Sequence, residues 1–268
     1  MATVEVFEAG HCRSFLCLAR RADPWRVGNF PATFGLIESR GGEIVLFDTG
    51  YARHIDAAMR RFPFPLYRTL LPITLGTDAV ETLRLRGIGA DAVGTIVISH
   101  FHPDHIGGLR DFPQARFVCS REAWDDVRGK TGLAGLRRGF LGDLLPPDFE
   151  SRLLFAEDFP AAPDAPASGA HAFVAGSERM VLVPLAGHCA GHLGLIVERS
   201  DGRRVLFAGD AVWRLSCIDD GIGPHAIGMA IQHDRRAYAS TIDLLARMKR
   251  EDPALVVVAA HDPAHETA

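Results

Sequence analysis

The sequence predicts a layered α/β protein, with mixed β-sheets inside and helices outside. Three observations carry this expectation. Short apolar runs alternate with helix-like stretches in both halves of the chain. Most of these runs are bounded by Gly, Asp, Ser or Pro, the usual punctuation of strands. Four of them lead within three residues into His or Asp, at the strand ends where α/β sheets commonly bind ligands.

Eight runs read as buried strands: Thr33–Ile37, Ile44–Phe47, Thr95–Ile98, Ala115–Cys119, Met180–Leu185, Gly194–Val197, Val205–Ala208 and Leu255–Ala259. Helical patterns lie between some of them. Ala79–Arg86 follows Asp78, a residue suited to an N-cap, and Arg121–Arg128 follows Ser120. Arg236–Lys249 is the longest, with Ala237, Ile242, Leu245 and Met248 as its apolar positions. Two stretches fit neither pattern. Residues 51–77 are rich in Phe, Pro and Leu, and residues 129–170 in Gly, Pro and Ala. Both read as elaborations over the core, with short helices. The segment Pro160–Pro166 reads as a connector between the halves.

Composition excludes several classes. The 268 residues are 47% hydrophobic and 23% charged, with net charge -4. Arginine pairs such as Arg60-Arg61, Arg137-Arg138 and Arg235-Arg236 are scattered, and no basic stripe is interleaved with aromatics, so no nucleic-acid partner is expected. No run of about 18 apolar residues occurs, so no membrane-spanning helix is expected. Met1–Val6 lacks the basic-then-apolar layout of a secretory signal. The five cysteines, Cys12, Cys17, Cys119, Cys189 and Cys217, are odd in number and irregularly spaced, which argues against a disulfide framework. A cytoplasmic location is the expectation.

The chemistry is concentrated at strand ends. Thr95–Ser99 leads into His100-Phe-His102-Pro-Asp104-His105, Val181–Leu185 into Ala-Gly-His188, Val205–Ala208 into Gly-Asp210, and Leu255–Ala260 into His261. His100 and His102 are two apart in an extended segment, so both rings can lean to one side. Pro103 disfavours helix at His102 and suits a first helical position, so Asp104 and His105 fall in the first turn of a short helix ending near Gly107-Gly108. One pair can then bind one ion and the other pair a second. Imidazole and carboxylate are ligands that zinc accepts, and manganese, iron and cobalt accept them too. The absence of cysteine from this cluster argues against a closed structural zinc site.

His-x-His-x-Asp-His after a buried strand resembles the signature of the metallo-β-lactamase superfamily. His188, Asp210 and His261 match its remaining ligands in order and approximate spacing, Asp48-Thr49-Gly50 resembles its early turn, and Gly187–His192 its second histidine motif. The resemblance implies one domain over residues 1–268, a four-layer αβ/βα sandwich of two similar halves, roughly 1–160 and 170–268, with the site at one edge. It implies two divalent ions, zinc first: His100, His102 and His188 on one, Asp104, His105 and His261 on the other, Asp210 bridging, with Asp104 and Asp210 as the catalytic carboxylates. Two ions about 3.5–4 Å apart can share a water and lower its pKa toward neutrality, arming it to attack a carbonyl or phosphorus. Diiron redox relatives carry an acidic residue where this chain has His102, which favours hydrolysis.

Among such relatives the chain is most similar to the acyl-homoserine lactone lactonases. It shares their length, the insertion before the histidine cluster, and the closing pattern Asp234–Tyr238, strand, His261-Asp262. A small-molecule lactone or other carboxylic ester is the substrate class implied; a thioester or phosphoester on the same site, and a non-catalytic metal-binding regulator, are the alternatives. Those lactonases typically carry tyrosine three residues after the bridging aspartate, near the substrate carbonyl; this chain has Trp213. Trp213 is therefore expected in the pocket wall, donating at most one weak hydrogen bond. Phe64, within Phe62–Tyr67, is expected to touch substrate, although that stretch equally suits core or a homodimer contact. Asp48 and His192 are expected to support ligands rather than bind metal, and Cys189, beside a ligand, to be a buried, inert thiol, with contact to the site as the alternative. His11, His54, His171, His225, His233 and His265 have no partners in sequence and read as surface or packing residues.

Overall fold

Buried apolar residues that alternate along strands build two sheets, one from each half of the chain. The computed structural model describes residues 2–263, so Met1 and His265 lie outside the described residues. The first half supplies β1 (Thr3–Phe15), α1 (Leu16–Ala19), β2 (Val27–Glu38), β3 (Ile44–Phe47), α2 (His54–Ala58), α3 (Pro65–Leu70), β4 (Ile73–Leu75), α4 (Ala79–Leu85), β5 (Val93–Val97), α5 (Pro103–Ile106), β6 (Arg116–Cys119), α6 (Arg121–Val127), α7 (Gly132–Arg137) and β7 (Leu153–Phe155). The second supplies β8 (His171–Ala175), β9 (Glu178–Pro184), β10 (Leu193–Glu198), β11 (Arg204–Gly209), α8 (Ser216–Asp220), α9 (Ala226–Ala230), α10 (Arg235–Glu251) and β12 (Val256–Ala259). The sheets run β4-β1-β2-β3-β5-β6-β7 and β12-β11-β10-β9-β8.

Period-two alternation sorts the strand residues into layers. Val45, Phe47 and Val97 of the first sheet meet Val205, Phe207 and Val258 of the second in a core between the sheets. The Phe47 and Phe207 rings stack there with centroids 5.2 Å apart. Their neighbours Ile44, Leu46 and Ile96 face outward and are covered by α2, α4 and α6 through Ile55, Leu83 and Trp124. Leu206 and Val257 face outward from the second sheet and are covered by α8 and α10. The result is the expected four-layer αβ/βα sandwich. No helix among the described residues is long and apolar enough to cross a membrane.

Local capping matches the sequence signals. The Asp78 side chain accepts from Glu81 N at 3.0 Å to open α4, and Ser120 accepts from Ala123 N at 3.0 Å to open α6. Asp234 caps α10 by accepting from Arg236 N and Ala237 N at 2.8 and 3.0 Å, and Lys249 and Arg250 sit in its last turn, at the negative, carbonyl end of the dipole. Tyr238, Ile242, Leu245 and Met248 form its buried stripe.

Four strands lie outside the sequence expectations: β1, β4, β7 and β8. β1 mixes Glu5, Glu8, His11 and Arg13 with apolar residues, and its register with β2 shifts between Glu8 and His11. That shift breaks the alternation that would mark a strand. β4 and β7 are three residues each, too short to carry a period, and both are edge strands. The 51–77 stretch is therefore two short helices and an edge strand, and the 129–170 stretch contributes α7 and β7.

Candidate metal centre

Five strands deliver side chains to one edge of the sandwich. β3 runs into Asp48, β5 into Ser99 and His100, β9 into His188, β11 into Asp210 and β12 into His261. α5 begins at Pro103, as the Pro-Asp-His order implied, and holds Asp104 and His105.

The seven residues expected as ligands come together in two sets. His102 Nδ1 lies 2.9 Å from His100 Nε2 and 3.1 Å from His188 Nε2. These spacings approach the edge of about 3.3 Å that zinc–nitrogen bonds of about 2.0–2.1 Å give a tetrahedron. In the second set, Asp104 Oδ2 lies 3.5 Å from His261 Nε2 and 3.8 Å from His105 Nε2. Asp210 reaches both sets: Oδ1 is 3.3 Å from His105 Nε2, and Oδ2 is 3.1 Å from His261 Nε2 and 3.3 Å from His188 Nε2.

The other ring nitrogen of each histidine is held from behind, which fixes ring orientation and tautomer. His105 Nδ1 meets Asp48 Oδ2 at 2.7 Å, His188 Nδ1 meets Gln232 Oε1 at 2.8 Å, and His261 Nδ1 meets the Pro31 carbonyl at 2.7 Å. His100 Nδ1 lies 3.0 Å from Ser99 Oγ, and His102 Nε2 lies 3.5 Å from Cys189 Sγ. Gln232 is itself fixed by donating to Gly228 O at 2.9 Å.

Asp48 is the hub of this layer. It also accepts from Ser99 N at 2.8 Å and Ser99 Oγ at 2.7 Å. Its backbone sits at φ 58, a left-handed conformation that Asp and Asn tolerate better than most residues. Thr49 N and Oγ1 both donate to the His105 carbonyl, at 2.8 and 3.0 Å, tying α5 to this turn. His192 Nε2 accepts from Asp210 N at 3.1 Å, so it holds the backbone of Asp210. Gly187 has φ 129, and a Cβ there would lie 2.2 Å from Tyr238 N. Only glycine lets α10 close over the strand end that carries His188.

Electrostatics divides the histidines. Burial lowers His100, His102 and His188, with His102 pushed down to about 3 and further disfavoured by His188. These rings are neutral at physiological pH and keep lone pairs to offer. Burial also opposes charge on His105 and His261, but the carboxylates win: Asp48, Asp210 and Asp104 raise His105 well above its ordinary value, and Asp210 raises His261. Burial works against a charged Asp210 too, yet His261, His105 and His188 hold it well below the usual carboxylate range.

The donor set fits divalent cations. His105 Nε2 and Asp210 Oδ1 are buried, and despite their proximity neither has a hydrogen-bond partner among the described residues. A buried polar atom left unpaired costs about 1–3 kcal/mol. A cation held between the histidines and carboxylates would satisfy both atoms, and the neutral imidazoles would supply the nitrogen donors that zinc accepts.

A cavity of about 400 Å³ opens onto both sets. Its apolar wall includes Leu70, Leu71, Leu136 and Ile231. Several expectations need correction here. Phe64 is outside this lining; its ring packs at Gly135 of α7, while Tyr67, Leu70 and Leu71 from the same segment face the cavity. Trp213 does line the cavity, but its Nε1 donates to Asp210 Oδ2 at 3.0 Å, so its N–H is committed to the carboxylate rather than free for substrate. Cys189 is half-buried in the cavity wall against His102, not enclosed in core. His233 also lines the cavity, whereas His54 pairs with Asp111 at 2.7 Å, His171 Nδ1 meets the Phe159 carbonyl at 2.8 Å, and His225 caps α9. Gln232, Ser99 and the Pro31 carbonyl were missed, and only Ser99, beside His100, had a signal in its position; Tyr67 belonged to the stretch expected at the pocket but was not singled out.

Residues 27–261 match the sequence family described as the Metallo-beta-lactamase superfamily. The chain is 31% identical over 246 residues to a protein of Mycobacterium tuberculosis named "Probable metallo-hydrolase", an alignment covering 85% of this chain and 73% of that one. It is 24% identical over 240 residues to the N-acyl homoserine lactonase AttM of Rhizobium radiobacter, covering 87% of this chain and 82% of the lactonase. In structure it resembles an N-acyl homoserine lactone hydrolase solved with N-hexanoyl-L-homoserine at its catalytic metal center, with TM-score 0.73, 19% identity, and coverage of 98% of this chain and 94% of that one.

Proposed function

Because this chain belongs to the metallo-beta-lactamase superfamily, we propose that it is a two-metal hydrolase that opens a lactone or cleaves a comparable carboxylic ester. The observation that carries the reading is the sharing of Asp210 between two donor sets that open on one cavity. His100, His102 and His188 would hold one divalent ion, Asp104, His105 and His261 the other, with Asp210 common to both and zinc the first candidate. Bound there, the ions supply Lewis acidity to a water and to the oxygens of the scissile bond.

The chain's own residues do the rest. Asp48, Gln232, Ser99 and the Pro31 carbonyl keep histidine lone pairs aimed inward. Trp213 and His192 fix the side chain and backbone of Asp210. The apolar wall of Leu70, Leu71, Leu136 and Ile231 accommodates an acyl or alkyl part of the substrate and limits water near the bond to be cleaved. The lactonase names among the relatives support the ester class.

The test is a hydrolysis panel on metal-loaded protein: lactones, aryl esters, thioesters and phosphodiesters. Turnover is expected on lactones or aryl esters. Strong turnover confined to thioesters or phosphodiesters overturns the ester reading, and no turnover on any class points to the binding-protein alternative.

A further inference from the structure

We propose that Tyr67, brought into the cavity by the 51–77 insertion, donates a hydrogen bond to the carbonyl oxygen of the substrate during hydrolysis. This rests on the carboxylic-ester reading above.

Tyr67 lies on α3, and Tyr67, Leu70 and Leu71 are spaced i, i+3, i+4, the spacing of one helix face. All three line the cavity that also contains His100, His102, Asp104, His188 and Asp210. Tyr67 is thus the polar member of a face that is otherwise a hydrophobic wall.

The lining contains Trp213, Tyr51 and Tyr67. The Trp213 N–H is used by Asp210. The Tyr51 hydroxyl is engaged with the Cys12 thiol in a fully buried position. The Tyr67 hydroxyl has no hydrogen-bond partner among the described residues. A half-buried phenol on an apolar wall, in the lining it shares with Asp104, Asp210, His100, His102, His188 and His261 and with its own donor unused, lacks a structural reason for its oxygen.

A phenol is protonated at neutral pH, with an ordinary pKa of about 10. Burial and then Asp104 push Tyr67 higher still, so the proton stays on the ring oxygen. As water adds to an ester carbonyl, negative charge grows on the carbonyl oxygen. A fixed donor in a water-poor site stabilises that charge more than it stabilises the neutral ester. The bond is donated without proton transfer, so Tyr67 begins and ends neutral, and no other group is needed to reset it.

The experiment compares wild type with Tyr67→Phe, both metal-loaded, with equal metal content and matching melting curves as controls. On the ester or lactone turned over best, kcat should fall roughly 10- to 100-fold while KM stays within about threefold, the pattern of a bond made mainly in the transition state. The loss should be the same for aryl esters and alkyl lactones, because the bond is to the carbonyl and not to the leaving oxygen. A loss that grows with the basicity of the leaving group overturns the assignment, as does a KM increase with kcat unchanged. Calorimetric binding of hexanoate gives a readout independent of turnover: Tyr67→Phe should weaken it by about tenfold, since a carboxylate oxygen can accept the same bond. If wild type hydrolyses no ester, the ester reading fails, and hexanoate affinity still decides the Tyr67 contact. Equal affinity in both proteins overturns it.

Discussion

Replacing Asp48 by Asn isolates how far the layer behind the ligands controls the metal centre. The substitution keeps shape, and Asn tolerates the left-handed φ of 58 that Asp48 adopts, so backbone strain does not confound the result. The acceptors are what change. Oδ1 accepts from Ser99 N, and Oδ2 faces both Ser99 Oγ and His105 Nδ1. An amide has one oxygen for these two places. With the oxygen toward Ser99 N, the NH2 faces His105 Nδ1, which must then accept; the ring proton moves to Nε2, the atom aimed at Asp104 and Asp210, and that lone pair is lost to metal. With the amide flipped, the NH2 confronts the buried Ser99 N–H, and an unpaired donor costs about 1–3 kcal/mol of stability. The expected outcome is a zinc affinity lower by roughly 10–100-fold for the second ion, or a destabilisation of that size, or both in part. Chelator competition measures the first, denaturant unfolding of metal-free protein the second, and long-range ¹⁵N NMR reads the His105 tautomer. Unchanged affinity, stability and tautomer together would refute the reasoning.

Other perturbations separate roles. His188→Ala should abolish one ion by elemental analysis, whereas His192→Ala, acting through the Asp210 backbone, should cost roughly 10–100-fold in affinity or activity; equal metal loss in both would make His192 a ligand. Gln232→Ala should weaken the site held by His188 to a similar degree, while Cys189→Ser, which keeps an acceptor beside His102, should retain full metal content by the same analysis. Metal-free protein should be most stable near pH 6.5. Below that, unfolded chains protonate histidines that burial keeps neutral in the fold (His100, His102, His188 and His192), so stability falls as pH drops toward 3, the value near which His102 titrates. Above it, His105 and His261, raised in the fold, lose protons that contributed stability. A melting temperature that climbs steadily from pH 7 to 9 without metal would contradict this sign.

The parts of the molecule legible in sequence are those set by local chemistry. Buried strands need contiguous apolar residues, so Ile44–Phe47 and Val205–Ala208 announce themselves, and the His and Asp after them mark the site. Asp78, Ser120 and Pro103 mark helix starts because caps act within three residues. What could not be read depends on distant partners. Pro31 meets His261 across 230 residues through a backbone carbonyl that every residue possesses. Gln232 is one amide in a loop until α9 and α10 bring it behind His188. Phe64 and Tyr67 sit in one aromatic stretch, and which of them faces the cavity is decided by how α3 packs. Trp213 was legible in position but not in partner, since the sequence could not show Asp210 Oδ2 within reach of its N–H. β1 was hidden by charged residues along a strand whose alternation a register shift interrupts.

Two metal ions held around Asp210 by seven residues from both halves are the core of the proposed function. Elemental analysis of protein purified without chelators, then titrated with zinc, tests it most directly. Close to two equivalents per chain are expected, falling to well below one in Asp210→Ala. A wild-type value that stays at one or less under saturating zinc, or an Asp210→Ala protein that still holds two, would contradict it.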